Sequence, residues 1–311
     1  MNSLRQILQE LLEHQQALDY SQHTIEGTRS NVNAFLDWLD EKHGITDPGV
    51  LRSDHIYDYQ KHLSVYITKR GLPLKPSAVN TRIKGLRRLL EFMYERSHTT
   101  RRLSHDIHYI REPKLLPTSV LSHNQVKKLF RQIETGSQEG IRDRAAIELL
   151  YTSGIRIGEL STLKVEDVDL DAAAMKVFGK GRKERMVPIG KTALTHLTSY
   201  MRGVRQFLAA RCTDDYREVF LNDHGRPLLG YALRKSIHDY ADKAGIDINV
   251  TPHTFRRSFT SELVKGNANL YHVKELLGHE SLNTLKHYTK LHISDLQLTH
   301  KKCHPREKDA V

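Results

Sequence analysis

A proline-flanked segment about a third of the way along the chain most constrains its architecture. The sequence IREPKLLPTS places Pro113 and Pro117 around mixed charges, a combination that interrupts regular structure and is typical of a linker. The chain has 311 residues, so the parts on either side of this segment are each long enough to bury a core. We therefore predict two domains, 1–112 and 121–311, joined by a linker over 113–120.

The segment before the linker has the apolar spacing of helices. Ser21 is a candidate N-cap, and the apolar residues after it recur at helical spacing until the turn-like sequence HGITDPG. A further helix follows Pro76, with Lys84, Arg87 and Arg88 on the face opposite an apolar stripe. The stripe consists of Val79, Ile83, Leu86, Leu90 and Met93. We predict an N-terminal helical bundle.

The charge balance predicts a polyanionic partner. Lys and Arg number 48 against 37 Asp and Glu, a formal net charge of +11, and the basic excess is dense over residues 75–114. Such an excess favours nucleic acid or an anionic surface as the partner. A solvated helix face would have a similar composition. Because the whole chain is basic, we favour a phosphate-contacting surface that includes Lys84, Arg87 and Arg88.

Several classes of protein are excluded by what the sequence lacks. No run approaches the roughly 18 apolar residues that span a bilayer, and the N-terminal residues have no uninterrupted apolar region of a signal peptide. Cys212 and Cys303 are far apart and form no CxxC pair, which indicates a reducing compartment without structural zinc. We predict a cytoplasmic protein with no membrane partner, no metal and no cofactor.

The segment after the linker changes from helical to strand periodicity and back. Ser122 and Gln125 form a candidate capping box, and an apolar helix over 145–151 ends at Gly154. Between residues 165 and 189 the apolar residues alternate, which predicts a small antiparallel sheet. Pro252 is well placed to begin a later helix. The predicted fold class is mainly α with a small antiparallel sheet, the second domain being α+β.

Five segments of the second domain each place polar residues where packing alone would not need them. Glu159 follows the first candidate residue, Arg156, by three positions and could orient a neighbouring basic group. Taken singly, each has an ordinary explanation: a surface arginine, a solvated turn lysine, a capping histidine or a packing tyrosine. The candidate residues are Arg156, Lys180, the pair His253 and Arg256, His279 and Tyr288.

Their joint order and spacing resembles the catalytic domain of the tyrosine recombinases, also called the phage integrase family. The matching sequences are TSGIRIGELSTLKVEDVD, VFGKGRKERMVPIG, VTPHTFRRSF and LLGHESLNTLKHYTKL. The family pattern of Arg, hairpin Lys, HxxR, His and, nine residues later, Tyr is filled at all six positions. Residues 120–292 carry this resemblance, and 4–110 more loosely resemble the family's helical core-DNA-binding domain. It implies a simple two-domain member, either Xer-like or from a mobile element.

The resemblance implies that DNA strands are cleaved and rejoined through a 3′-phosphotyrosyl intermediate. Tyr288 would be the nucleophile, and because its reference pKa is about 10 it needs a base, for which His253 is the candidate. Lys180 would protonate the leaving 5′ oxygen as general acid. The phosphotyrosyl ester conserves the bond energy, so strand exchange would need no ATP, consistent with the lack of a GxxxxGK[ST] sequence.

The remaining site residues would stabilise charge in place of a metal. Arg156 and Arg256 can each give paired hydrogen bonds to non-bridging phosphate oxygens. His279 would hydrogen-bond the phosphate, and Glu159 would hold an active-site base in place. The implied partner is double-stranded DNA with a specific core site, bound by a homo-tetramer, with a second recombinase as a hetero-partner left open.

Three other functions share some of these features. A type IB topoisomerase would relax supercoils by closely related chemistry, but His279 stands nine residues before Tyr288 in the LGH context of the recombinases. A non-catalytic DNA-binding regulator on the same scaffold would be expected to lose at least one of the six groups. A metallohydrolase is disfavoured because the sequence has no HExxH motif.

Overall fold

The computed structural model describes residues 3–68, 71–112, 120–179 and 183–278. The chain divides into two compact units, Met1–Leu115 and Leu116–Val311. Most of the predicted linker, residues 113–119, lies outside the described residues. The described parts combine many helices with one small sheet, so the predicted fold class is confirmed.

The first unit is helical, as predicted. Ser21 caps the helix Gln22–His43 (α2) through a hydrogen bond that its Oγ accepts from the Thr24 N–H at 3.3 Å, and Gly44 ends this helix in the left-handed conformation. The first unit also contains two short 3₁₀ turns, Pro48–Val50 and Leu103–Asp106. The helices are α1 (Leu4–Ala17), α2 (Gln22–His43), α3 (Ser53–Val65) and α4 (Pro76–Glu95).

The amphipathic pattern of α4 is also confirmed. All five residues of its predicted apolar stripe are buried, and α4 packs against α1 and α2. Lys84, Arg87 and Arg88 are exposed on the other face. Arg88 Nη1 also donates a hydrogen bond to Thr28 Oγ1 at 3.0 Å, which fixes one end of this basic face to α2.

The second unit begins with three helices and the predicted sheet. The helices are α5 (His123–Arg131), α6 (Gln138–Ser153) and α7 (Ile157–Ser161). The antiparallel strands are β1 (Val168–Asp169), β2 (Ala174–Phe178) and β3 (Glu184–Pro188). Met175 pairs with Val187 and Val177 with Arg185, so these four side chains share one face of the hairpin. The capping box of Ser122 and Gln125 is present at α5.

Helices make up most of the described residues that follow the sheet. Pro252 occupies the first turn of the helix Pro252–Lys265 (α11), as predicted, and Tyr200 stacks on Phe220 in the core with ring centroids 5.3 Å apart. No described helix is long and apolar enough to cross a membrane. The elements are α8 (Lys191–Ser199), a π-helical turn (Tyr200–Val204), α9 (Arg205–Ala209), α10 (Gly230–Lys243), α11 (Pro252–Lys265) and α12 (Leu270–Leu277).

Glycines in the left-handed conformation end two helices of this unit. Gly154 follows α6 with φ 63°, and Gly278 follows α12 with φ 61°. Gly154 has a second constraint, because a Cβ there would overlap the ring of Phe259 on α11. Only glycine therefore allows α6 to end in close contact with α11.

We predict that Gly154→Ala lowers the free energy of unfolding of the second unit by about 2–4 kcal/mol, since left-handed backbone strain adds to overpacking against Phe259. Gly245→Ala is the matched control, because Gly245 has φ 64° but open space around a Cβ. It should cost only about 1 kcal/mol. Urea denaturation of both variants measures the difference, and equal losses would contradict the packing argument.

Candidate active site

The described part of the second unit brings four of the predicted site residues together. Arg156 precedes α7, Glu159 lies on α7, and His253 and Arg256 lie on the first turns of α11. The predicted residues Lys180, His279 and Tyr288 lie outside the described residues. Lys84, Arg87 and Arg88 belong to the first unit.

The carboxylate of Glu159 is buried, with a side chain only 4% exposed. Its Oε2 accepts the backbone N–H of Arg156 at 2.8 Å, and its Oε1 accepts Nη1 of the Arg156 side chain at 2.9 Å. Burial acts to raise the pKa of Glu159, but hydrogen bonds from Arg185 and Arg156 outweigh it, and the pKa is lowered below its ordinary value. Glu159 is therefore ionised at neutral pH and orients Arg156.

Arg185 on β3 is the functional candidate that the sequence interpretation missed. Its Nη1 and Nη2 donate to the two oxygens of Glu159 at 3.0 and 2.8 Å, and its Nε donates to the carbonyl of Leu276 at 2.8 Å. One signal could have found it. Alternation along β3 places Arg185 on the same face as the buried Val187, and a charged residue at a core-facing position needs a partner.

Arg256 is buried where two helices end. Its guanidinium donates to the carbonyl of Gly154 at 2.7 Å and to the carbonyl of Leu277. Nη2 of Arg156 reaches the next carbonyl, that of Gly278, at 3.4 Å. Because carbonyls at a helix C-terminus carry partial negative charge, they stabilise guanidinium groups at this position.

The cluster has a surplus of positive charge. Arg156 and Arg185 share one carboxylate, that of Glu159, and each also donates to a neutral backbone carbonyl, that of Gly278 or Leu276. The side chain of Arg156 is 38% exposed. This arrangement is suited to binding an anion with fixed, planar donors.

His253 lies beside this cluster on the exposed side of α11. Partial burial lowers the pKa of His253 below its ordinary value of 6.5, and the charges of Arg256 and Arg257 lower it further, with smaller contributions from Arg234 and Arg156. The imidazole is therefore neutral at pH 7 and can accept a proton. Among the described residues, no group of three or more His, Cys, Asp or Glu side chains could hold a metal ion.

Residues 119–294 match the model of the phage integrase family. The chain is also 33% identical over 293 residues to the tyrosine recombinase XerD of Listeria innocua serovar 6a, covering 92% of this chain and 94% of the relative. The chain therefore belongs to the phage integrase family of tyrosine recombinases, site-specific DNA recombinases that cleave and rejoin DNA strands.

A further relative and a solved structure are also similar to this chain. The tyrosine recombinase XerC 2 of Ralstonia nicotianae is 29% identical, with 92% of this chain and 82% of the relative covered. The fold is similar to that of a lambda integrase (75–356) dimer bound to a COC′ core site, with a TM-score of 0.69 and 16% identity. That match covers 94% of this chain and 100% of the integrase chain.

We predict that an NMR titration of His253 gives a pKa below 6.5, and that Arg234→Gln moves the pKa upward because it removes a nearby positive charge. Lys243→Gln, at the far end of α10, is the control and should leave the value unchanged. The unfolded chain binds this proton near pH 6.5, so stability should fall as the pH decreases from 6.5 through the lower pKa of the folded state. A His253 pKa at or above 6.5 would contradict this electrostatic account.

Proposed function

We propose that this recombinase acts on duplex DNA containing a specific core site, with Tyr288 as the nucleophile and a 3′-phosphotyrosyl ester as the intermediate. One observation carries the proposal. Arg156 and Arg256, which are far apart in sequence, hydrogen-bond to the carbonyls of Gly278 and Leu277, and His279 is the next residue of the chain. The cluster can therefore bind a phosphate directly beside the segment that leads to Tyr288.

The two arginines would stabilise the charge that develops on the phosphate. A phosphoryl centre under attack carries negative charge on its non-bridging oxygens, and fixed guanidinium forks match those oxygens. Glu159 and the helix-end carbonyls hold both groups before DNA binds. Little reorganisation would accompany the reaction, and His279 would add a further hydrogen bond to the phosphate.

The chemical step proceeds by displacement at phosphorus. His253, neutral at pH 7, accepts the proton of the Tyr288 hydroxyl as the phenolic oxygen forms its bond to phosphorus. The bond from phosphorus to the 5′ oxygen breaks, and Lys180 donates a proton to that oxygen. A 5′ hydroxyl from either duplex reverses these steps, so rejoining or exchange consumes no ATP.

The first unit and the oligomeric state complete the proposal. Residues 1–112 form the core-DNA-binding domain with Lys84, Arg87 and Arg88 on phosphates, and 121–311 form the catalytic domain with its tail. A structure of similar fold is a lambda integrase tetramer bound to a Holliday junction, with a TM-score of 0.69 and 16% identity. We propose a tetramer on two duplexes in the cytoplasm, made of this chain alone or together with a second recombinase.

Tyr288→Phe should keep DNA affinity but form no covalent adduct, because only the attacking hydroxyl is removed. A suicide duplex and a denaturing gel measure the adduct. Tyr271→Phe is the matched control, an exposed tyrosine on α12 whose loss should leave adduct formation intact. An adduct formed by the Tyr288→Phe variant would assign the nucleophile elsewhere. Relaxation of supercoiled plasmid by the wild type without strand exchange would support the topoisomerase alternative.

Replacing Lys84, Arg87 and Arg88 together with Glu should weaken binding to any duplex and reduce the dependence of affinity on salt. The slope should decrease by up to about 0.9 for each phosphate that is no longer neutralised. The control makes the same charge change at the exposed Lys127, Lys128 and Arg131 on α5. Fluorescence anisotropy at several salt concentrations measures both slopes. Equal slopes for the two triple variants would assign the α4 residues to a solvated surface.

A further inference from the structure

Arg185 connects three segments of the second unit through hydrogen bonds of one guanidinium group. It lies on β3, donates both Nη groups to Glu159 on α7, and donates Nε to the Leu276 carbonyl on the last turn of α12. The Arg185 and Glu159 side chains are 13% and 4% exposed, so the pair is largely removed from water. A bidentate pair in such an environment has little freedom to reorient.

The carboxylate that Arg185 fixes is the one that orients Arg156. Oε1 of Glu159 accepts from Arg185 Nη1 at 3.0 Å and from Arg156 Nη1 at 2.9 Å. A rotation of this carboxylate would move both hydrogen bonds. The position of the exposed Arg156 guanidinium therefore depends on Arg185 through the oxygen that the two arginines share.

Two glycines lie against the same ion pair. A Cβ on Gly278 would be 3.0 Å from Nη1 of Arg185, closer than ordinary side-chain packing allows. A Cβ on Gly179 would be 3.7 Å from the same nitrogen and 3.8 Å from Oε1 of Glu159. Each glycine directly precedes a candidate catalytic residue in the sequence, namely Lys180 and His279.

We propose that Arg185 is a positioning residue for DNA strand cleavage. It holds the side chains of Glu159 and Arg156 in place beside the backbone of Gly179 and Gly278. This inference rests on the proposed function of the site. All three guanidinium nitrogens of Arg185 already donate to Glu159 or Leu276, so Arg185 would act without contacting the scissile phosphate. It acts through the carboxylate and the two glycines, and its loss lowers the rate of cleavage at saturating protein and leaves DNA affinity in place.

The geometry requires a guanidinium at this position. Three nitrogens of one planar group reach three acceptors, the two Glu159 oxygens and the Leu276 carbonyl. An ammonium group is a compact charge and cannot reproduce a planar fork. Arg185→Lys should therefore remain impaired although the charge is kept.

Loss of Arg185 should also change the pH dependence of cleavage. The hydrogen bond from Arg185 contributes most to lowering the pKa of Glu159, against the effect of burial. Without it the pKa of Glu159 rises, so the carboxylate is lost at a higher pH as the solution is acidified. An acidic loss of rate beyond the one set by protonation of His253 should therefore begin at a higher pH in the variant than in the wild type.

The test measures single-turnover cleavage of a suicide duplex by Arg185→Gln, Arg185→Lys, Glu159→Gln and the double variant Glu159→Gln with Arg185→Gln. Arg205→Gln is the matched control, since Arg205 also donates to carbonyls, those of Tyr216 and Glu218, away from Glu159. Each protein is assayed across pH and protein concentration, and its thermal unfolding midpoint is measured.

Arg185→Gln should lower the saturating cleavage rate by about 100-fold, the effect expected when a reacting geometry shifts by about 1 Å. The protein concentration at which Arg185→Gln reaches half its maximal rate should stay near that of the wild type. The control variant Arg205→Gln should cleave at the wild-type rate. The double variant should be no slower than the slower single variant, because both changes disrupt one unit.

Several results would overturn the inference. They are a wild-type rate in Arg185→Gln, an unchanged pH profile, a loss confined to DNA affinity, or full activity in Arg185→Lys. Unfolding of both Arg185 variants at the assay temperature would assign the residue to stability alone. If the wild type itself forms no covalent adduct, the proposed function fails, and this outcome is distinct from the others.

Discussion

The buried carboxylate of Glu159 pairs with the guanidinium groups of both Arg156 and Arg185, and the site depends on this interaction. A lone buried charge costs several kcal/mol, and removing one partner of such a pair typically costs about 3–5 kcal/mol. The fold meets this cost with hydrogen bonds to both oxygens and to the Arg156 backbone N–H. Helix α7 and strand β3 are thereby joined beside the ends of α6 and α12.

The helix ends supply the second part of the arrangement. Gly154 and Gly278 both adopt the left-handed conformation, and their carbonyls accept hydrogen bonds from Arg256 and Arg156. A residue with a Cβ at either position would be strained and would also crowd a neighbour, Phe259 in one case and Arg185 in the other. The two helices can therefore end close enough for their carbonyls to orient the anion-binding arginines.

Local sequence signals predicted the elements well because caps act over a few residues. Ser21, Ser122 and Pro252 begin helices where the pattern placed them, and Gly154 ends one. Strand ends were less accurate, since the predicted range of 165–189 extends beyond the start of β1 and the end of β3. Pairing between strands, which the sequence does not state, decides those limits.

Long-range geometry explains what the sequence interpretation missed at the site. Arg185 pairs with a carboxylate 26 residues away, and its inward orientation follows from its register opposite Val177. The burial of Arg256 likewise depends on the approach of Gly154 and Leu277, which the spacing of His253 and Arg256 on one helix does not predict. Residue type and motif order identified Arg156, Glu159, His253 and Arg256 as candidates, but only the three-dimensional contacts show what holds the arginines.

The same charges that would bind phosphate also set the proton affinity of His253. In the protein without DNA, partial burial and the neighbouring arginines lower the pKa of His253. A phosphate bound between Arg156 and Arg256 would offset their positive charge and raise that pKa, because a nearby negative charge favours the protonated imidazole. On the proposed function, His253 is neutral while the site is empty and becomes a stronger base once a phosphate is in place. Activation of the nucleophile would thus be coupled to correct placement of the DNA, through electrostatics alone.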